Sequence, residues 1–100
     1  MQLIDIHTHI YPAAIARKAA ASIREFYQLD TREMDGTADT LLTRGTEAGI
    51  DRFVVLPVAM RPDRTRHIND FIIGQVAAQP RFLGFGSIHA GMENIAEEVE

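Results

Sequence analysis

Phe53-Val54-Val55-Leu56-Pro57-Val58-Ala59 is an unbroken apolar run. A strand with one wet face alternates apolar and polar residues, so a continuous run of this length predicts a strand covered on both faces. Coverage on both faces is what a parallel sheet between helices requires, and Pro57 near the end of the run marks the edge of regular pairing.

The flanking sequence supplies the helices. Upstream, Thr37 or Asp39 can cap a helix running through Leu41 and Leu42 to Ala48, with Gly49 where a left-handed C-terminal residue belongs. Ile50-Asp51-Arg52 then connects to the strand. Downstream, Met60 to Thr65 forms a loop, and a helix follows from about Arg66 to Gln79. Its core face is Ile68, Phe71, Ile72 and Val76, with Ile73 beside them, and Pro80 stops it. Arg81-Phe82-Leu83-Gly84-Phe85-Gly86-Ser87-Ile88 is the next strand, with Gly84 and Gly86 on one face, where close packing is expected. A last helix is expected to begin within Met92 to Glu97.

Nearer the N-terminus, Met1-Gln2-Leu3-Ile4 leads a first strand into Asp5-Ile6-His7-Thr8-His9. Strict alternation puts Asp5, His7 and His9 on one face and Ile4, Ile6 and Thr8 on the other. Pro12 opens a helix from Ala13 to about Tyr27, with Ile15, Ala19, Ile23 and Phe26/Tyr27 as its apolar stripe. Gln28 to Gly36 is polar, without periodicity, and is expected to be irregular. The order is strand, helix, helix, strand, helix, strand, helix: repeated βα units with parallel strands and right-handed crossovers.

Composition narrows the function. The 100 residues are 46% hydrophobic and 24% charged, as expected of a globular domain rather than a disordered chain. A net charge of -4 with scattered basic residues gives no surface for nucleic acid. No stretch reaches the ~18 apolar residues of a membrane span, no secretory leader is recognisable, and a cytoplasmic location is expected. With no cysteine, disulfides and thiolate metal sites are excluded.

The chemistry concentrates at His7 and His9. Two imidazoles two residues apart on one strand face can reach one ion, and neutral imidazole is a natural zinc ligand. Asp5 is expected to support a ligand from behind or to act as a third ligand. Burying an Asp and two His on an Ile-rich strand is costly unless something pairs with them, and a divalent cation does so directly. His67, at a helix start, is expected to be exposed.

Ile4-Asp5-Ile6-His7-Thr8-His9-Ile10-Tyr11-Pro12, then Ala48-Gly49-Ile50-Asp51-Arg52 before Val54-Val55-Leu56-Pro57, then Asn69-Asp70-Phe71 and Pro80-Arg81-Phe82-Leu83-Gly84-Phe85-Gly86, resemble the amidohydrolase superfamily. Within it they look most like the amidohydrolase-related (amidohydrolase 2) branch, which holds metal-dependent hydrolases and aminocarboxymuconate-semialdehyde-decarboxylase-like enzymes. The resemblance spans essentially the whole chain, and its first motif is the specific one. It implies an α/β fold in which residues 1-100 are the N-terminal portion, strands 1-3 with their helices, of a (β/α)8 TIM barrel of roughly 250 residues or more.

It further implies that His7 and His9 bind a divalent metal, Zn2+ first, with Mn2+ or another divalent ion as alternatives. The remaining ligands and the catalytic Asp are expected beyond Glu100, so no catalytic residue is assigned within the chain. Tyr11, Pro57, Met60, Arg61 and His89 follow strand ends, where a barrel places its pocket, and are substrate-pocket candidates. The implied reaction is hydrolysis, with metal-activated water attacking an amide, ester or lactone-type carbonyl. Non-oxidative decarboxylation of an unsaturated or aromatic carboxylic acid is the alternative, and a non-catalytic barrel fragment acting in binding or assembly is a second.

Other His-x-His barrels fit less well. The polymerase-and-histidinol-phosphatase type continues into a Thr/Ser-Asp-Gly-like stretch, and the TatD-related DNase type into Leu-Asp, whereas this chain reads Ile10-Tyr11-Pro12. The expected partner is a small-molecule substrate, with no nucleic acid and no membrane; a homodimer is compatible. The 100 residues alone are expected to be inactive and to hold metal weakly, because two ligands leave most of a coordination sphere to water.

Overall fold

The computed structural model describes residues 1–28 and 35–100. The element order is β1 (Ile4–Thr8), α1 (Ala13–Tyr27), α2 (Ala38–Glu47), β2 (Arg52–Val55), a 3-10 turn (Pro62–Arg64), α3 (Thr65–Ala78), β3 (Phe82–Gly84) and α4 (Ile95–Val99). The strands form one parallel sheet in the order β1-β2-β3, the βα arrangement expected.

Helix boundaries follow local chemistry. Pro12 precedes α1 in an extended conformation, and its carbonyl accepts from Ile15 and Ala16, so the ring without an N–H sits where none is needed. The Thr37 hydroxyl accepts from the Thr40 amide and caps α2. Gly49, at φ 79°, turns the chain out of α2 toward β2. Thr65 opens α3, its hydroxyl donating to the Arg61 carbonyl at 3.0 Å. The segment expected over Gln28–Gly36 falls outside the described residues for positions 29–34.

Faces depart from expectation in two helices. In α1 the buried residues are Ala16 and Ala20, one position on from the expected stripe, while Phe26 and Tyr27 are exposed. The buried positions are alanines, and the aromatic pair stacks edge-on at the helix surface instead. In α3 the buried face is Thr65, Ile68, Asn69 and Ile72, with Phe71 and Val76 at its flank and Ile73 outside. His67 is exposed, as expected.

The strands are shorter than their apolar runs. β2 ends at Val55, two residues before Pro57, and β3 ends at Gly84 rather than Ile88. At the centre, Phe53 and Val55 are fully buried against Ile10, Ile72 and Phe82, with Leu41, Leu42 and Ile50 packed on them. Gly84 is the close approach anticipated for a strand glycine. A Cβ there would stand 2.7 Å from Val76 and 2.9 Å from Ile72, so α3 lies directly on the backbone.

Arg81 ties the starts of β2 and β3 together. Its guanidinium donates to the carbonyls of Asp51 and Ile50 and to the Thr46 hydroxyl, and it lies over the Phe53 ring. Among the described residues, no helix is long and apolar enough to cross a membrane.

Candidate metal centre

The histidines sit where β1 ends, on the same side of the sheet as the loop leaving β2. The ladder pairs Asp5 with Phe53 and Thr8 with Val55, three steps along β1 against two along β2, so β1 carries one extra residue between them. The extra residue is a bulge, and a bulge re-aims side chains. The strict alternation expected through Asp5-Ile6-His7-Thr8-His9 therefore does not hold. Ile4 and Ile6 are exposed, whereas Thr8 and Ile10 are buried.

The bulge is held by side chains and backbone together. The Asp5 carboxylate accepts from the His7 amide at 3.1 Å. The hydroxyl of Thr8, a residue 7% exposed, donates to the Val54 carbonyl at 2.7 Å. The Leu56 amide donates to the Thr8 carbonyl at 2.8 Å.

His9 is then fixed by its own ring. Nδ1 lies 2.8 Å from the Leu56 carbonyl, which can only accept, so Nδ1 carries the proton and Nε2 presents a lone pair. That lone pair faces His7: the two Nε2 atoms are 3.1 Å apart, with the rings edge-on at 77°. With the His9 proton on Nδ1, the proton between the two Nε2 atoms belongs to His7, whose Nε2–H donates to His9.

The donor set fits a small divalent cation. Two nitrogens each ~2.0–2.1 Å from one ion, at tetrahedral or octahedral angles, stand about 2.9–3.4 Å apart. The observed 3.1 Å lies inside that interval. A proton bound to a backbone carbonyl at the far nitrogen is the usual support for a ligating imidazole. One oxygen of the Asp5 carboxylate, Oδ1, accepts from the His7 amide. No group of three or more His, Cys, Asp or Glu side chains able to share an ion occurs among the described residues.

The pocket candidates divide. Pro57 follows directly on Leu56, whose carbonyl holds His9, and is half-buried. Tyr11 is half-buried, its amide bound to the Gly36 carbonyl, and burial pushes its phenol above the ordinary pKa. Met60 is exposed. The Arg61 guanidinium forms a two-pronged pair with Asp63, at 3.1 and 2.9 Å. His89 is folded onto its own turn, Nδ1 accepting from the Gly91 amide at 3.0 Å. A shallow depression between Pro62, Arg66 and the Gly91–Asn94 turn contains neither His7 nor His9.

Two groups escape a reading by residue type. Thr8 looks like a spacer between histidines, and Asn69 like a surface residue of α3. Asn69 is buried, with Nδ2 donating to the Ser87 carbonyl and to Glu98, and Oδ1 accepting from the Ser87 amide. A polar residue on the apolar face of α3, between Ile68 and Ile72, is the sequence feature that marks it.

Comparison with known proteins finds no family model that matches the chain, and no curated protein or solved structure significantly similar to it.

Proposed function

We propose that the chain carries the first two ligands of a divalent-metal site in a metal-dependent hydrolase of the amidohydrolase kind, its three strands being the opening strands of a (β/α)8 barrel. One observation carries the proposal: His7 and His9 present their Nε2 atoms to each other at 3.1 Å, with His9 locked by the Leu56 carbonyl, at the C-terminal end of a parallel strand. That end of a βα sheet is where barrels hold their chemistry. The open edges at β1 and β3 and the exposed Ile4, Ile6, Phe85 and Ile88 support continuation of the sheet on both sides.

When bound, a divalent ion such as Zn2+ supplies Lewis acidity, polarising a carbonyl oxygen and acidifying water toward neutrality. The chain's own residues prepare for it. The Leu56 carbonyl holds the His9 proton on Nδ1 and leaves Nε2 free to donate its lone pair. His7 must move its ring proton from Nε2 to Nδ1 before it can do the same. The remaining coordination positions fall to water or to residues outside these 100.

The proposal is tested on the chain by titrating Zn2+ while following the ring signals of His7 and His9 by NMR. Both histidines are expected to shift together and no other histidine with them, and His7→Ala or His9→Ala is expected to abolish the response. A response that survives both substitutions, or one centred on His67 or His89, would sink the assignment.

A further inference from the structure

We propose that Thr8, the residue between the two histidines, is a positioning residue for the pair. Its buried hydroxyl, bound to the Val54 carbonyl, sets the two imidazoles at the separation one ion requires. The inference rests on the metal reading of His7 and His9 and concerns how that site is built.

Alternation alone would place residues 7 and 9 side by side on one face, without fixing how their rings meet. The ring separation is decided by the backbone between them, and that backbone is irregular: β1 gains a residue on β2 between Asp5 and Thr8. A bulge is free to slip unless something pins it, because a one-residue shift re-aims every side chain beyond it.

Thr8 is pinned from both ends of the residue. Its hydroxyl donates to the Val54 carbonyl at 2.7 Å, and its carbonyl accepts from the Leu56 amide at 2.8 Å. The next contact is the His9 ring on the Leu56 carbonyl at 2.8 Å, so one short segment of chain, residues 54–56, receives the backbone, the hydroxyl and the ligand ring in turn. Of the two bonds Thr8 itself makes, only that of the hydroxyl is removable by substitution. Thr8 is 7% exposed, and with its hydroxyl replaced by a methyl group the Val54 carbonyl loses that donor in a place water barely reaches. The bulge then loses a contact on the His7 side of His9, and the rings lose their fixed separation.

The test compares Thr8→Val, which keeps the shape and removes the hydroxyl, with Thr8→Ser, which keeps the hydroxyl and removes the methyl. Two quantities are read by NMR on the chain: the apparent Zn2+ affinity from the ring signals of His7 and His9, and the imidazole nitrogen shifts without metal. Thr8→Val is expected to weaken zinc binding roughly 10–100-fold, the range seen when a ligand's supporting contact is lost. It is also expected to blur the metal-free pattern of His7 protonated on Nε2 and His9 on Nδ1, whereas Thr8→Ser preserves both.

A Thr8→Val protein with wild-type circular dichroism, affinity and nitrogen shifts overturns the inference, and so does a Thr8→Ser protein as impaired as Thr8→Val, which would assign the effect to methyl packing. Should Thr8→Val not fold, Thr8→Ala takes its place against Thr8→Ser. If the wild-type chain shows no zinc response at all, the metal reading fails by itself, and the metal-free nitrogen shifts alone decide the role of Thr8.

Discussion

At the scale of single residues, atoms with no polar partner are as diagnostic as the histidines. Gly45 lies inside α2, where glycine costs a helix about 1 kcal/mol relative to alanine, so propensity alone argues for replacement. The Phe53 ring argues against it. A Cβ on Gly45 would fall onto the Phe53 ring, which is fully buried and central to the core. Overpacking of this kind costs about 1–3 kcal/mol. The clash outweighs the propensity gain, so Gly45→Ala is expected to destabilise the chain, with a lower urea midpoint at unchanged slope. A midpoint that rises would mean that the ring has room to retreat and that propensity dominates.

At the scale of elements, the start of α2 couples the fold to pH. The Asp35 carboxylate accepts from the Thr37 amide at 3.0 Å and from the Thr37 hydroxyl at 2.8 Å, and these bonds, the backbone one foremost, hold its pKa below the ordinary 3.8. A carboxyl whose folded pKa is depressed contributes stability that is complete above the unfolded value and is lost as pH falls through the folded one. The group is at the surface, so the contribution is small. Asp35→Asn is therefore expected to lower the melting temperature at neutral pH and to narrow the gap to wild type as pH drops below about 4. Parallel melting curves for the two proteins across that range would refute the coupling.

The same scale shows what can be read from sequence and what cannot. α1 over Ala13–Tyr27 and the Thr37 cap of α2 are legible because Pro12, Thr37 and Gly49 act on their immediate neighbours. Strand ends are set by partners distant in sequence. The apolar run from Phe53 reaches Ala59, yet ladder pairing stops at Val55, and nothing in Leu56-Pro57-Val58-Ala59 itself announces it except Pro57. In the site, the identity of the histidine pair is legible and its geometry is not, because the bulge depends on how β1 meets β2. Asp5 illustrates this: alternation groups it with the imidazoles but does not show that its Oδ1 accepts from the His7 amide.

At the scale of the whole molecule, the two ends of the sheet are held by different chemistry. Arg81 closes the end away from the histidines, joining the end of α2 and the turn before β2 to the start of β3 through three hydrogen bonds. On the histidine side the chain leaving β3 keeps one more backbone bond to β2, from the Phe85 amide to the Val55 carbonyl at 3.4 Å, and at Ser87 Asn69 takes over by mimicking a strand edge: one donor and one acceptor for the Ser87 backbone, and a second donor bond to Glu98 of α4. Glu98 is in turn 3.2 Å from the Arg66 guanidinium, which closes the connection back to α3. Replacing Asn69 by Ala leaves the Ser87 amide and carbonyl without that partner in a partly buried place. An unmet buried group costs about 1–3 kcal/mol, so a loss of about 2–4 kcal/mol is expected for the pair. Asn69→Asp should cost at least as much, since a carboxylate cannot donate to Ser87 and would face Glu98. The effect should also be local: amide exchange at Ser87 should accelerate more than at Phe53 in the core. A variant within 1 kcal/mol of wild type, with Ser87 still protected, would show that the segment after β3 is held by the turn at His89 and Met92 rather than by α3.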